Sequence, residues 1–190
     1  KGVRMRIAVY CGANVGTRPA YEETAKKLGQ WMAKNGHILV FGGGGVGLMG
    51  VVSNAILDQG GQVIGIIPQF LVEHEVANRR LTNLIVVEDM RTRKQAMIDR
   101  ADAFIALPGG PGTLEEIAEV ISWARLGKLT QPCIFFNVEG YYDHMAAQLD
   151  RMVEDGFLLQ VHRDNILVAD SIEAINEFIC NYKPLGLYGE

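Results

Sequence analysis

Three glycine-rich turns carry most of the sequence's chemical potential. They are Cys11-Gly12-Ala13-Asn14-Val15-Gly16, the stretch Gly42-Gly43-Gly44-Gly45-Val46-Gly47-Leu48-Met49-Gly50, and Pro108-Gly109-Gly110-Pro111-Gly112-Thr113. Each follows a short apolar run and precedes a segment with helical spacing. Glycine lets the backbone come close to an anion, and a helix that starts there offers unpaired N–H groups and the positive end of its dipole. One such turn is as well explained by tight strand-to-helix packing; three together point to a phosphate. The set is not a dinucleotide fingerprint, because the first turn lacks G-x-G-x-x-G, and without G-K-[ST] there is no P-loop. Gly12, Ala13, Gly43, Gly44, Gly47 and Met49 are therefore candidates for the loops around a pocket.

Carboxylates and one arginine stand near the third turn. Thr113-Leu114-Glu115-Glu116 has capping-box spacing, with Thr113 as N-cap and Glu116 folding back on its N–H. The alternative puts Glu116 in the pocket, where a carboxylate would stabilise positive charge developing on a sugar. One rotamer cannot serve both. On the segment Asp89 to Asp99, Arg93 shares a face with Met90 and Met97 at i, i+3 and i+7 spacing. An arginine in an apolar stripe either snorkels to solvent, pairs structurally with a carboxylate, or meets an anionic ligand. Lys94 beside it reads as a solvated charge, and Glu75 as a loop residue in an irregular link.

The elements that must position these groups alternate regularly. Buried strands are expected at Arg6 to Tyr10, Ile38 to Phe41, Val63 to Ile67, Leu84 to Val87, Ala103 to Ala106, Cys133 to Phe136 and Ile166 to Ala169. Helices are expected at Pro19 to Asn35, Gly47 to Gln59, Asp89 to Asp99, Thr113 to Leu126, Tyr141 to Asp155 and Ser171 to Asn181. Only the link from Pro68 to Asn83 breaks the βα rhythm. This is the pattern of an α/β fold, a doubly wound, mostly parallel sheet of about seven strands flanked by helices, with its ligand at the carboxyl ends of the strands. The 190 residues are expected to form one domain, with the ends, residues 1–5 and 184–190, frayed.

Composition narrows the function. A net charge of −4 lacks the basic footprint of a nucleic-acid binder. Cys11, Cys133 and Cys180 are odd in number and far apart, which indicates neither a disulfide framework nor a zinc site and suits a reducing compartment, the cytoplasm. No apolar run approaches a membrane span, and Lys1 to Arg6 has no apolar signal-peptide core.

Pro108-Gly109-Gly110-Pro111-Gly112-Thr113-Leu114-Glu115-Glu116 matches P-G-G-x-G-T-x-x-E, the signature of the LONELY GUY family, the cytokinin riboside 5′-monophosphate phosphoribohydrolases. The resemblance extends through Cys11-Gly12, Gly43-Gly44, Gly47-Leu48-Met49-Gly50, the run from Gly60 to Pro68, Met90 with Arg93-Lys94 and Met97, and Gly156-Phe157. It implies a Rossmann-like fold, a homodimer or larger homo-oligomer, and hydrolysis of the N-glycosidic bond of AMP or of its N6-prenylated derivatives, releasing free base and ribose 5-phosphate. No metal or redox cofactor is implied. By motif position the catalytic residues would be Arg93 and Glu116, and the substrate contacts Glu75, Lys94, Gly110, Pro111, Gly112, Thr113, Leu114, Glu115 and Ser122. Similar proteins often carry the label lysine decarboxylase, a reaction that needs a pyridoxal phosphate lysine, and nothing in the sequence marks one. The chain departs from the family pattern at Ala13 (commonly serine), Arg91 (histidine), Pro111 (an aromatic) and Ser122 (threonine). Pro111 matters most, because it stiffens the phosphate turn and removes a donor.

The mechanism expected from these positions has backbone N–H groups of Gly110, Gly112 and Thr113 holding the 5′-phosphate, Glu116 facing the anomeric carbon, and Arg93 keeping Glu116 ionised or touching the substrate. Glu75 would reach the sugar or base, from the same subunit or its partner. Arg93→Ala is expected to lower turnover without unfolding the protein. Two rivals remain: a non-catalytic nucleotide-binding module on the same scaffold, and a protein whose glycine turns serve packing alone.

Overall fold

The computed structural model describes residues 3–81 and 83–186. Seven strands, β1 (Arg6–Tyr10), β2 (Ile38–Phe41), β3 (Gln62–Pro68), β4 (Leu84–Val87), β5 (Ala103–Ala106), β6 (Cys133–Phe136) and β7 (Ile166–Ala169), form one sheet in the order β4-β3-β2-β1-β5-β6-β7. Every pairing is parallel. Each strand falls within a residue or so of its expected place, because short Val/Ile/Phe-rich runs buried on both faces leave little else for the chain to do.

Helices α1 (Pro19–Lys34), α2 (Gly47–Leu57) and α7 (Ile172–Asn181) cover one face, where Leu28, Met32, Val52 and Ile175 meet Ile7, Val9, Leu39 and Ile105. Helices α3 (Met90–Ile98), α4 (Pro111–Arg125) and α5 (Asp143–Glu154) cover the other, where Met97, Ile117, Val120 and Leu149 meet Ala8, Tyr10, Phe104 and Phe135. The alternation Ile7/Val9 against Ala8/Tyr10 sends neighbouring residues of β1 to opposite faces. A short helix, α6 (Gln160–Asp164), was not apparent from periodicity because it lasts barely more than a turn.

The link after β3 holds a 3₁₀ turn at Gln69–Leu71 and further turns, with no α-helix among its described residues, and leads into β4 parallel to β3. Of the ends expected to fray, residues 1, 2 and 187–190 lie outside the described residues. Met5 is tied at both of its backbone groups: its N–H donates to His37 Nδ1 at 3.2 Å and its carbonyl accepts from Ile38 at 2.8 Å.

Strand order reverses direction around β1, with β2 on one side and β5 on the other. In such sheets the loops leaving the two central strands diverge to opposite faces and open a crevice. The first and third glycine turns are those loops. They remain zipped at the base, with Leu107 N donating to Tyr10 O (2.9 Å) and Gly12 N to Pro108 O (3.0 Å), while Leu48 N at the start of α2 donates to Gly12 O (3.1 Å).

Candidate active site

The crevice contains a cavity of about 370 Å³, within the usual range of small-ligand pockets. All three glycine turns reach it, through Gly12 and Ala13, Gly42 and Met49, and Gly109, Gly110, Gly112 and Thr113; Glu75, Arg93 and Glu116 supply its charged groups.

The third turn departs from the expected capping box. Helix α4 begins at Pro111 with Gly110 as N-cap and no side-chain cap, so Thr113 is the third helical residue and is buried. Proline at the first helical position is preset for φ and has no N–H to leave unsatisfied, which moves the N-cap from Thr113 to Gly110, three residues earlier. Thr113 packs instead against Gly109, where an added Cβ would collide with its Oγ1. Freed from capping, Glu116 lies one turn further on the face of Gly112 and Thr113 and lines the cavity. Burial pushes its carboxyl up from 4.5 to about 7, Arg93 pulling it down and Glu75 and Glu115 pushing it further up.

Arg93 does not snorkel. It is 4% exposed and spans three elements: Nε donates to Ile66 O (3.0 Å), and one terminal nitrogen donates to Gly42 O (2.5 Å) and to Glu75 Oε2 (2.8 Å). The ion pair is largely desolvated, with side-chain exposures of 5% and 17%. The carboxylate that Arg93 pairs with is Glu75, while its charge also lowers the pKa of Glu116, and Glu75 reaches the cavity from its own chain. Glycine is required at position 42, since a Cβ there would strike the Arg93 guanidinium. Glu75 is carried by a link pinned to the second glycine turn: Gly45 N donates to Val76 O (2.7 Å) and Asn78 N to Gly43 O (2.9 Å).

Other expected site residues lie outside the cavity lining. Lys94 is not a free surface charge: it reaches from α3 toward α4, where it bonds Glu115 Oε1 at 2.9 Å and lies 3.1 Å from Glu119 Oε2. Glu115 raises the Lys94 pKa. Pro111, Leu114 and Glu115 face outward on the first turns of α4, and Ser122 is exposed, about 16 Å further along the helix at 1.5 Å per residue. Gly43, Gly44 and Gly47 act one layer behind: Gly43 (φ 78°) and Gly47 (φ 62°) use the left-handed region, and Gly44 bridges to Ala77.

Sequence reasoning missed Tyr21, Leu71 and Tyr141, which also line the cavity. Tyr141 meets Tyr21 edge-on at 5.6 Å and its hydroxyl donates to Gly109 O. The signal available was position: Tyr141 follows Gly140 directly after β6, at the same carboxyl edge as the glycine turns. Cys11 sits on the cavity floor with its thiol pushed up strongly by burial, which makes it inert as a nucleophile.

Comparison with known proteins fits this geometry. The cytokinin riboside 5′-monophosphate phosphoribohydrolase LOG5 of Arabidopsis thaliana is 41% identical over 180 residues, covering 95% of this chain and 79% of the relative. The chain belongs to that phosphoribohydrolase family. LOG7 of the same plant is 42% identical, covering 94% and 82%, and the probable phosphoribohydrolase LOGL9 of Oryza sativa subsp. japonica is 42% identical, covering 95% and 79%. Residues 49–179 match the family described as "Possible lysine decarboxylase". Among solved structures, the molybdenum cofactor binding protein of Rippkaea orientalis superimposes with a TM-score of 0.70 at 23% identity, over 95% of this chain and 98% of that one. The molybdenum cofactor carrier protein of Chlamydomonas reinhardtii gives 0.69 at 19%, over 94% and 100%. At such identities these two establish the Rossmann-like fold and nothing about the ligand.

Proposed function

We propose that this member of the phosphoribohydrolase family hydrolyses the N-glycosidic bond of purine nucleoside 5′-monophosphates, AMP or its N6-prenylated derivatives, releasing base and ribose 5-phosphate. The observation that carries the reading is one cavity holding both an anion-binding helix start and, one turn away, a Glu116 carboxylate that has no ion-pair partner among the described residues. The N–H groups of Gly110, Gly112 and Thr113 hold the 5′-phosphate, and their binding energy places the anomeric carbon at Glu116. Departure of the base builds positive charge on the ribose. An ionised Glu116 in a low-dielectric cavity stabilises that charge and steers the attacking water. Arg93 lowers the Glu116 pKa through space while it clamps β2, β3 and the Glu75 link, so its role is to position and tune. Glu75 then offers its second carboxylate oxygen to the sugar.

Lysine decarboxylation finds no support in this cavity, whose lining includes no lysine. The reading places the protein in the cytoplasm as a homodimer or larger homo-oligomer, in one domain; Trp123 on α4 and Leu126 at its C-cap, 37% and 46% exposed, supply apolar surface for assembly. Chromatographic detection of adenine from AMP, and of N6-isopentenyladenine from its nucleotide, tests the activity. A non-catalytic binding module would bind AMP and release neither.

A further inference from the structure

We infer that Tyr141 is a positioning residue for the phosphate turn: its hydroxyl caps the Gly109 carbonyl, so that the turn meets an anion with N–H groups and no bare carbonyl oxygen. This deepens the proposed function and rests on the third glycine turn being the 5′-phosphate site.

Every carbonyl leading into α4 is occupied. Leu107 O accepts from the Tyr142 hydroxyl (2.6 Å), Pro108 O from Gly12 N (3.0 Å), Gly109 O from the Tyr141 hydroxyl, and Gly110 O from Leu114 N (3.1 Å). The N–H groups of Gly110, Gly112 and Thr113 have, by contrast, no side-chain acceptor among the described residues and belong to the positions that a helix leaves unpaired. A carbonyl oxygen carries partial negative charge, and beside a phosphate in a low-dielectric site an uncapped one opposes binding. Pro111 takes one donor out of the turn, so less attraction is available to outweigh such a repulsion.

Of these caps, the one on Pro108 is main chain and Tyr142 is a core residue packed 4.8 Å from Phe135. Tyr141 alone is an exposed side chain at the cavity mouth. Its delivery requires an unusual backbone: Glu139 at φ 49°, a left-handed conformation disfavoured for any residue with a Cβ, followed by Gly140 at φ 75°. Val138 and Tyr142 anchor the two ends of this turn in the core, while Glu139 and Tyr141 between them stay exposed, so packing holds the turn in place and leaves the Tyr141 ring free to reach the cavity. What it achieves is to aim consecutive phenols at the carbonyls of Leu107 and Gly109. Arg18 holds Glu139 at 3.3 Å, and Asn137 accepts from Tyr142 N (2.7 Å) while donating to Asp143 (2.8 Å).

Tyr141→Phe keeps the ring and removes only the cap. Calorimetric titration of wild type and variant with AMP, ribose 5-phosphate and adenosine is the test, alongside melting curves and steady-state kinetics with AMP. One lost hydrogen bond with a repulsive oxygen left behind should weaken AMP and ribose 5-phosphate about tenfold while adenosine changes less than about twofold. KM for AMP should rise more than kcat falls, and the melting temperature should hold. Equal weakening of adenosine and AMP, or unchanged AMP affinity, overturns the inference. Wild type that binds AMP without releasing adenine would sink the hydrolase reading and leave the binding comparison to decide the role of Tyr141. Wild type that binds neither AMP nor ribose 5-phosphate refutes both.

Discussion

Replacing Glu116 by glutamine should make the protein more stable above neutral pH while abolishing its activity. Folding moves the Glu116 carboxyl from 4.5 to about 7. The folded state therefore holds a proton that the unfolded state has lost throughout that window, and stability declines as pH rises from about 4.5 to 7. The full cost of that rise is about 3 kcal/mol. Water in the open cavity reduces it to about 1–2 kcal/mol, which at roughly 2–4 °C per kcal/mol for a chain of this size is a melting-temperature gain of about 2–8 °C. Differential scanning calorimetry of wild type and Glu116→Gln at pH 4.5 and pH 8 reads this directly. The two should melt together at the lower pH, and the variant should lead at the higher. A variant that melts below wild type at pH 8, or by the same margin at both pH values, would show that Glu116 is not a desolvated carboxylate, and the electrostatic role given to it would fall.

The other perturbations concern its neighbours. Removing the Glu75 charge with Glu75→Gln eliminates one of the influences that raise the Glu116 pKa, so the acid limb of kcat/KM, expected near pH 7 for wild type, should move down in the variant; an unmoved limb would disconnect the two carboxylates. The expectation that Arg93→Ala spares the fold needs revision: Arg93 bonds Ile66, Gly42 and Glu75, and its removal strands a largely buried carboxylate, costing about 3–5 kcal/mol in a urea titration. Gly42→Ala should displace the guanidinium and reduce kcat/KM for AMP more than about tenfold, because the new Cβ occupies its place. Pro111→Ala restores an N–H at the first position of α4, and calorimetry should show AMP binding several-fold tighter, about one neutral hydrogen bond.

How much of this was legible in the sequence depends on which interactions are local. All seven strands were, because each is a compact apolar run closed by glycine, proline or a polar residue such as Glu88, Asn137 or Asp170, and the crevice followed from their alternation with helices. Glu116 was recognisable as a candidate, but its alternative use as a capping residue was decided by Pro111, which starts α4 at its own position. The Glu75–Arg93 pair was hidden because Glu75 lies in a link without periodicity, and only the pinning of residues 75–78 to the second glycine turn brings it round. Lys94 and Arg93 are adjacent in sequence yet meet different neighbours, Lys94 the α4 carboxylates and Arg93 the strand ends and Glu75, a distinction that helical geometry settles only once the packed face of α3 is known. Tyr21 and Tyr141 carry no motif, and their meeting across the cavity depends on the positive-φ turn at Glu139 and Gly140.

The central claim is tested most directly by incubating wild type and Glu116→Gln with AMP and with its N6-isopentenyl derivative and measuring free base by liquid chromatography. The account predicts base release by wild type from at least one nucleotide, and turnover by the variant lower by orders of magnitude although it remains folded. Equal rates in the two proteins, or nucleotide binding by wild type with no base released, would contradict it.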